Sequence, residues 1–281
     1  MDSELYFDSA DRGLGTTYER WALNRFLLRI TADMQIESVL EGPDDGIAGI
    51  DGINSLNLAR KGAKATVLLR GAERAAFSRA IWERYAPDAE VQFMTEFNGA
   101  CLPFPDNSFD LVWNFNVMPR EADPFQVLAE MGRVARKAVL ICVPNRHNYS
   151  FWMHRLHHRV AHDLWDHGRI DLMQARSWEK YFERLGFKDI QNDHVDCPWW
   201  PDIIDISQLI VDFFPFMRSA ADKVKPESRY LWPADGLPYY DRAEFAEVHA
   251  DMDRLAYFEN TRIRFIKRLF AHHTAVWARK A

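Results

Sequence analysis

The sequence predicts a doubly wound α/β fold, in which helices cover both faces of a mostly parallel, seven-stranded sheet. Three observations predict this class. Short, continuously apolar runs alternate with stretches of helical periodicity, and Gly or Pro stands at many of the joints between them. Continuous apolar runs are typical of strands that are buried on both faces. The 281 residues are enough for one large domain with an insert.

The first half of the chain alternates between helix and strand. Trp21, Leu27 and Ile30 recur at near-helical spacing and predict a first helix over about Thr17 to Ala32. Gly or Pro ends each of the two helices that come next. The predicted order is strand Ser38 to Glu41, helix Gly52 to Lys61, strand Ala65 to Leu69, a helix to about Tyr85 and strand Val91 to Met94.

The second half repeats this alternation up to about residue 198 and then changes in composition. Between 199 and 257 the chain holds eleven aromatic residues and eleven Asp or Glu against six Lys or Arg. We therefore predict a core of residues 1–198 and 256–281, with an aromatic-rich, acidic insertion at 199–255 before the last strand. The predicted elements are strand Phe109 to Asn114, helix Pro124 to Val134, strand Lys137 to Val143, helix Ser177 to Leu185, strand Lys188 to Val195, a long helix within 241–268 and strand Phe270 to Trp277.

The insertion has two interpretations. Its aromatic pairs could fill a satellite core, or they could form a lid that binds an apolar acceptor and keeps water out. Its position before the last strand favours the lid.

Composition and charge exclude several classes of protein. The longest purely apolar run has six residues, so no membrane span is predicted, and the acidic N-terminus lacks the pattern of a secretory signal. Three widely spaced cysteines form neither a disulfide framework nor a metal motif, so we expect a cytoplasmic protein. A net charge of −6 disfavours nucleic acid as a partner and leaves a small molecule as the expected one. The oligomeric state stays open.

A loop rich in Gly joins the first strand to the next helix, from Glu41 to Gly52. Glycines there let the backbone approach a ligand closely and aim N–H groups at it. Glu41 can accept hydrogen bonds from hydroxyl or ammonium groups. Ligands bind at this carboxyl edge of the sheet in doubly wound folds. A plain tight turn is the alternative interpretation.

A second segment carries a more specific pattern. The run Leu-Pro-Phe-Pro-Asp-Asn-Ser-Phe-Asp-Leu-Val-Trp-Asn spans Leu102 to Asn114, and Glu130, Arg133 and Val134 lie in the next helix. This pattern resembles the class I S-adenosylmethionine-dependent methyltransferases, in particular the methyltransferase type 11 group. The resemblance covers about residues 18–195 and the final strand. It implies a Rossmann-like fold, S-adenosylmethionine as cofactor, and in-line methyl transfer to a small-molecule or lipid-like acceptor.

The resemblance also implies a cofactor site. Asn98 stands where the family usually has Asp beside the adenine amino group, with Gly99 against the adenine edge. Asn114 would line the pocket beneath the methyl group, and Arg70 ends the second strand, where the family normally has an acidic residue for the ribose. The implied cofactor-binding residues are Glu41, Gly42, Gly46, Gly49, Gly52, Arg70, Asn98, Gly99 and Asn114.

Two departures from the family pattern keep other functions open. The loop is lengthened between Gly42 and Gly52, and the acidic residue after the second strand is missing, which would weaken ribose binding by about 1 to 3 kcal/mol. One alternative is therefore a methyltransferase-like protein that has lost catalysis and binds a partner. Another is an oxidoreductase, but the dinucleotide motif and its acidic residue are both missing.

Histidines supply the candidate general bases. Four of them have the spacing i, i+3, i+4 and i+8, which puts three or four on one helical face: His154, His157, His158 and His162. Metal ligation would need a fitting geometry and carboxylate partners. We favour a solvated or aromatic-packed helix and predict no metal site. His147, near the sheet edge, and His167 are the candidate bases for methyl transfer.

Overall fold

The computed structural model describes residues 14–44, 50–95, 101–160, 165, 167–200 and 246–280. Its strands are β1 (Ser38–Asp44), β2 (Lys64–Leu69), β3 (Val91–Met94), β4 (Phe109–Phe115), β5 (Ala135–Pro144), β6 (Asp189–Val195) and β7 (His273–Arg279). They form one seven-stranded sheet in the order β3-β2-β1-β4-β5-β7-β6. Strands β1 to β5 are parallel, and β7 runs antiparallel to both β5 and β6. The predicted mostly parallel sheet is confirmed.

Helices cover both faces of this sheet, as predicted. They are α1 (Leu14–Ile30), α2 (Leu56–Arg60), α3 (Ala72–Tyr85), α4 (Pro124–Val134), α5 (Phe151–Val160), α6 (Ala175–Arg184), α7 (Ala246–Leu255) and α8 (Arg264–Phe270). Successive side chains of a strand point to opposite faces. Leu111 of β4 accordingly joins a core cluster with Trp82 of α3, while Val112 joins a second cluster with Leu128 of α4 and Phe182 of α6.

The helix after the glycine loop is shorter than predicted. It begins at Leu56 and not at Gly52. The chain before it makes a turn, in which the N–H of Ser55 donates to the carbonyl of Gly52 at 2.9 Å. Gly52 has a φ of +74°, which is outside the right-handed helical region. The first strand is correspondingly longer than predicted and continues to Asp44.

The prediction of one long helix within 241–268 is wrong. Helices α7 and α8 lie in this region, with residues 256–263 between them. Glu259 fixes this connection, because its carboxylate accepts a hydrogen bond from the N–H of Cys197 at 2.8 Å and so ties the turn to the chain after β6. The last strand also starts later than predicted, at His273 instead of Phe270.

Most of the predicted insertion, residues 201–245, lies outside the described residues. Its described flanks pack on the core. The Trp200 ring contacts Tyr18 of α1 edge-on, with centroids 5.5 Å apart, and Met252 of α7 is fully buried in the first cluster. The division into a core and a lid remains a prediction. Among the helices of the described ranges, none has the length and hydrophobicity to cross a membrane.

Candidate active site

The carboxyl end of β1 carries two buried carboxyl groups, those of Glu41 and Asp44. The backbone N–H of Ser55 donates to Glu41 Oε2 at 3.0 Å, and the N–H of Gly52 donates to Asp44 Oδ2 at 3.2 Å. Burial, together with the charge of Asp44, raises the pKa of Glu41 to about 8. At pH 7 the Glu41 carboxyl therefore holds a proton most of the time.

Two glycines of the predicted cofactor motif are required by packing against β2. A Cβ on Gly42 would lie 2.8 Å from the Cβ of Leu68, and a Cβ on Gly52 would lie 2.5 Å from Val67 Cγ2. The close approach that these glycines permit is therefore to a neighbouring strand. Four other predicted cofactor residues lie outside the described residues: Gly46, Gly49, Asn98 and Gly99.

Arg70, at the end of β2, forms an ion pair with a buried carboxylate. Its Nη2 lies 2.5 Å from Oε1 of Glu121, which is 7% exposed. Its backbone N–H donates to the carbonyl of Asp44 at 3.1 Å, which joins the ends of β1 and β2. A carboxylate thus stands beside the end of β2, supplied by the segment after β4. Glu121 carries no signal in the sequence, because the family pattern places the acidic residue on β2 itself.

Asn114, at the carboxyl end of β4, joins this strand to β1. Its side-chain N–H donates to the carbonyl of Pro43 at 2.6 Å, and its Oδ1 accepts from the N–H groups of Val117 and Met118 at 3.2 and 3.3 Å. Asn114 is buried, so it lies at the predicted edge but its polar atoms are used to hold the local backbone.

Asn116, two residues further on, is a second polar group at the end of β4. Asn116 is also buried, and its Oδ1 has no hydrogen-bond partner among the described residues. A buried acceptor without a partner is unusual in a folded protein. Asn116 therefore offers an acceptor to a ligand at this edge.

A group of polar residues that sequence analysis missed lies at the same edge, beside β4 and β5. His273 Nε2 lies 3.1 Å from Glu19 Oε2 and 3.6 Å from Asp196 Oδ2, and His272 Nδ1 lies 2.9 Å from Asp196 Oδ2. The ring of His273 also contacts Phe115, at the end of β4, with centroids 5.0 Å apart. We call Glu19, Asp196, His272 and His273 the edge cluster.

Burial and hydrogen bonding act in opposite directions on the two carboxyl groups of the edge cluster. Burial raises the pKa of Asp196, although both histidines oppose this. Burial also opposes ionisation of Glu19, but its hydrogen bond to His273 and the charge of Arg20 lower its pKa overall. An imidazole beside an ionised carboxylate can accept a proton, because the carboxylate stabilises the resulting cation. The positions of two of these residues were the signal that could have placed them at the sheet edge. Asp196 directly follows β6, and His273 begins β7, which pairs with β6.

The two predicted bases lie in different surroundings. The backbone N–H of His147 donates to Asn145 Oδ1 at 3.0 Å. Burial lowers the pKa of His147, as do the charges of Arg268 and Arg146, so its ring is neutral near pH 7. His167 lies among other histidines and is not part of the edge cluster. The assignment of either residue as a base remains a prediction.

Comparison with known proteins agrees with the resemblance found in the sequence. Residues 48–143, about a third of the chain, match a family model described as a methyltransferase domain. This stretch of the chain is therefore similar to methyltransferase domains. The fold of the chain is that of the class I S-adenosylmethionine-dependent methyltransferases, as the sequence resemblance implied. The matched residues run from the glycine loop to β5 and so include the ends of β2 and β4.

Solved structures share this fold at low sequence identity. One is an S-adenosylmethionine-dependent methyltransferase from Archaeoglobus fulgidus, at 13% identity and a TM-score of 0.50, covering 99% of this chain and 100% of that one. Another, from Thermotoga maritima, is described as a possible histamine N-methyltransferase; it has 13% identity, a TM-score of 0.51, and coverage of 99% and 94%. No curated protein matches the sequence. Neither the inactive protein nor the oxidoreductase gains support from these comparisons.

Proposed function

We propose that this protein is a methyltransferase that binds S-adenosylmethionine at the carboxyl ends of β1, β2 and β4, and transfers its methyl group in line to a small-molecule or lipid-like acceptor. When bound, this cofactor supplies an already activated methyl group. The observation that carries the proposal is the pair of buried carboxyl groups, Glu41 and Asp44, at the edge where ligands bind in doubly wound folds.

The charge of this pair fits the cofactor. S-adenosylmethionine carries positive charge at its ammonium and sulfonium groups. Glu41 and Asp44 are buried acidic residues, so their charge is complementary to that of the cofactor. A nearby cation favours the ionised form of a carboxyl group, so cofactor binding would lower the raised pKa of Glu41. Asn116 Oδ1 would add a hydrogen-bond acceptor on the β4 side.

Glu121 can take the role of the acidic residue that β2 lacks. A ribose diol needs acceptors, and a carboxylate has about four lone-pair directions, of which Arg70 uses one at the Oε1 contact. We therefore assign ribose binding to Glu121, with Arg70 holding its carboxylate in place.

The edge cluster supplies the base that an oxygen or nitrogen acceptor needs. His273 Nε2 already contacts Glu19, so a proton from the acceptor would be taken up at Nδ1. Glu19 and Asp196 would stabilise the imidazolium that forms. His147 is the alternative base for the same step.

Several properties support a small acceptor and an intracellular setting. The net charge of −6 disfavours a nucleic-acid acceptor, and the histamine description of the Thermotoga maritima structure is that of a small amine. Cys101, Cys142 and Cys197 are all free thiols, as is typical of a reducing cytoplasm.

Isothermal titration of the full chain with S-adenosylhomocysteine tests the proposal. One site per chain is expected, and Glu121→Gln should weaken binding about tenfold through loss of a charged acceptor. Asp33→Asn is the matched control, since Asp33 is an exposed carboxylate paired with Arg279 at the other end of β7. Absence of binding at millimolar ligand would refute the proposal, and equal weakening by both variants would refute the role of Glu121.

A further inference from the structure

Three histidines outside the proposed active site converge at one point. His154 and His158 lie one turn apart on α5, and His167 follows the helix. Nε2 of His158 lies 3.0 Å from Nε2 of His154 and 3.1 Å from Nε2 of His167. The ligand atoms of all three lie within 4.8 Å of one another. We call these residues the histidine triad.

Hydrogen bonding alone accounts poorly for these contacts. A ring nitrogen of a neutral imidazole has a single direction in the ring plane, occupied by either a proton or a lone pair. His158 Nε2 therefore cannot make well-directed hydrogen bonds to both neighbours. The rings of His154 and His158 are nearly parallel, with centroids 4.9 Å apart, so their Nε2 atoms lie on the facing edges of the two rings.

We propose that His154, His158 and His167 bind a divalent transition-metal ion such as Zn²⁺ through their three Nε2 atoms. Neutral imidazole is a preferred ligand of this metal, at about 2.0 to 2.1 Å from nitrogen to zinc. Tetrahedral geometry at that bond length puts neighbouring nitrogens about 3.3 Å apart. The observed contacts of 3.0 and 3.1 Å need to lengthen by a few tenths of an ångström, which small side-chain rotations supply.

The surroundings match a site with one open position. Trp165 packs against the triad, with its ring centroid 4.8 Å from that of His167 and 5.6 Å from that of His158. A cavity of about 610 Å³ adjoins the site and is lined by Trp152, Arg155, Leu156, His158, Arg159 and Trp165. Three protein ligands leave a fourth position on the metal open toward the cavity. Water or an anion can fill that position, and Arg155 and Arg159 in the lining would favour an anion.

The triad is joined to the proposed active site through backbone contacts. The N–H of Arg169 donates to the carbonyl of Pro119 at 2.8 Å, and Gly168 packs so closely on Pro119 that a Cβ would lie 2.4 Å from its oxygen. Pro119 belongs to the turn that Asn114 holds at the end of β4. The metal would thus fix the segment around His167 against the sheet edge, independently of whether the cofactor binds there.

Equilibrium dialysis of the metal-stripped full chain against Zn²⁺ tests the site. We expect one tightly bound Zn²⁺ per chain, with binding at least about a hundredfold weaker in His158→Ala and in His167→Ala, since loss of even an outer-shell partner weakens metal sites ten- to a hundredfold. His249→Ala, which removes a half-buried histidine from α7, is the control and should bind as the parent does.

A spectrum of the unmodified chain keeps the test decisive if a variant fails to fold. Loading with Co²⁺ should give the intense visible bands of a four-coordinate site with three nitrogen ligands. Weak octahedral bands, no uptake of Zn²⁺, or equal uptake by the triad variants and the control would each overturn the proposal.

Discussion

Binding of S-adenosylmethionine should release a proton from Glu41. A carboxyl group of pKa about 8 is protonated in roughly nine molecules of ten at pH 7, in about half at pH 8 and in roughly one of ten at pH 9. A cationic ligand beside the Glu41 and Asp44 pair favours the ionised form. The expected release from this group is therefore most of a proton per cofactor at pH 7, and it should fall as the pH rises through about 8.

Calorimetry measures this release directly. The observed binding enthalpy is determined at each pH in buffers with different ionisation enthalpies, and its slope gives the number of protons released. Glu41→Gln is the paired variant, because it removes the titrating group and keeps an oxygen that can accept from Ser55. The difference between the two chains cancels any titration of the cofactor itself.

A release that is the same in both chains would refute the role given to Glu41. A second measurement checks the raised pKa without ligand. The neutral form of Glu41 is the one that the fold favours, so the stability of the parent chain should fall as pH rises from about 4.5 to about 8. This fall should be smaller in Glu41→Gln, as followed by urea denaturation.

The remaining predictions concern the edge cluster and the glycine turn. His273→Asn should leave the affinity for S-adenosylhomocysteine within about twofold. It should slow methyl transfer about 10²- to 10⁴-fold, measured with an acceptor found by screening with labelled cofactor. An equal kcat in both chains would rule out His273 as the base. Gly52→Ala should lower the free energy of unfolding by about 1 to 3 kcal/mol, since its Cβ would collide with β2. Gly62 has a φ of +100°, and a Cβ added there would meet no atom within 4 Å. Gly62→Ala therefore adds backbone strain without a collision and should lower the free energy of unfolding by less than Gly52→Ala does, as measured by urea denaturation.

Periodicity and apolar runs predicted most of the fold. The alternation of strands and helices gave every strand within a few residues, because strands buried on both faces leave a continuous apolar signal. The run from Leu102 to Asn114 carried the resemblance to methyltransferases. Local signals did not reveal the break between α7 and α8, where Glu259 accepts a long-range hydrogen bond from Cys197 that no local pattern marks.

The site was only partly predictable for the same physical reason. Glu41 and Asn114 follow strands and could be placed at the carboxyl edge from the sequence. Glu121 reaches the end of β2 from the segment after β4. Glu19 and His273 meet from opposite ends of the chain. The fold brings such distant residues together, and no local pattern in a single sequence shows which of them will meet.

Hydrogen–deuterium exchange with and without S-adenosylhomocysteine tests the central claim most directly, namely that the cofactor binds at the carboxyl ends of β1 and β4. The account predicts slower exchange on ligand binding in peptides covering residues 38–44 and 109–121. Peptides from α4, at 124–134, should serve as an internal reference and remain unchanged. Protection confined to regions away from β1 and β4, with those two peptides unaffected at saturating ligand, would contradict the account.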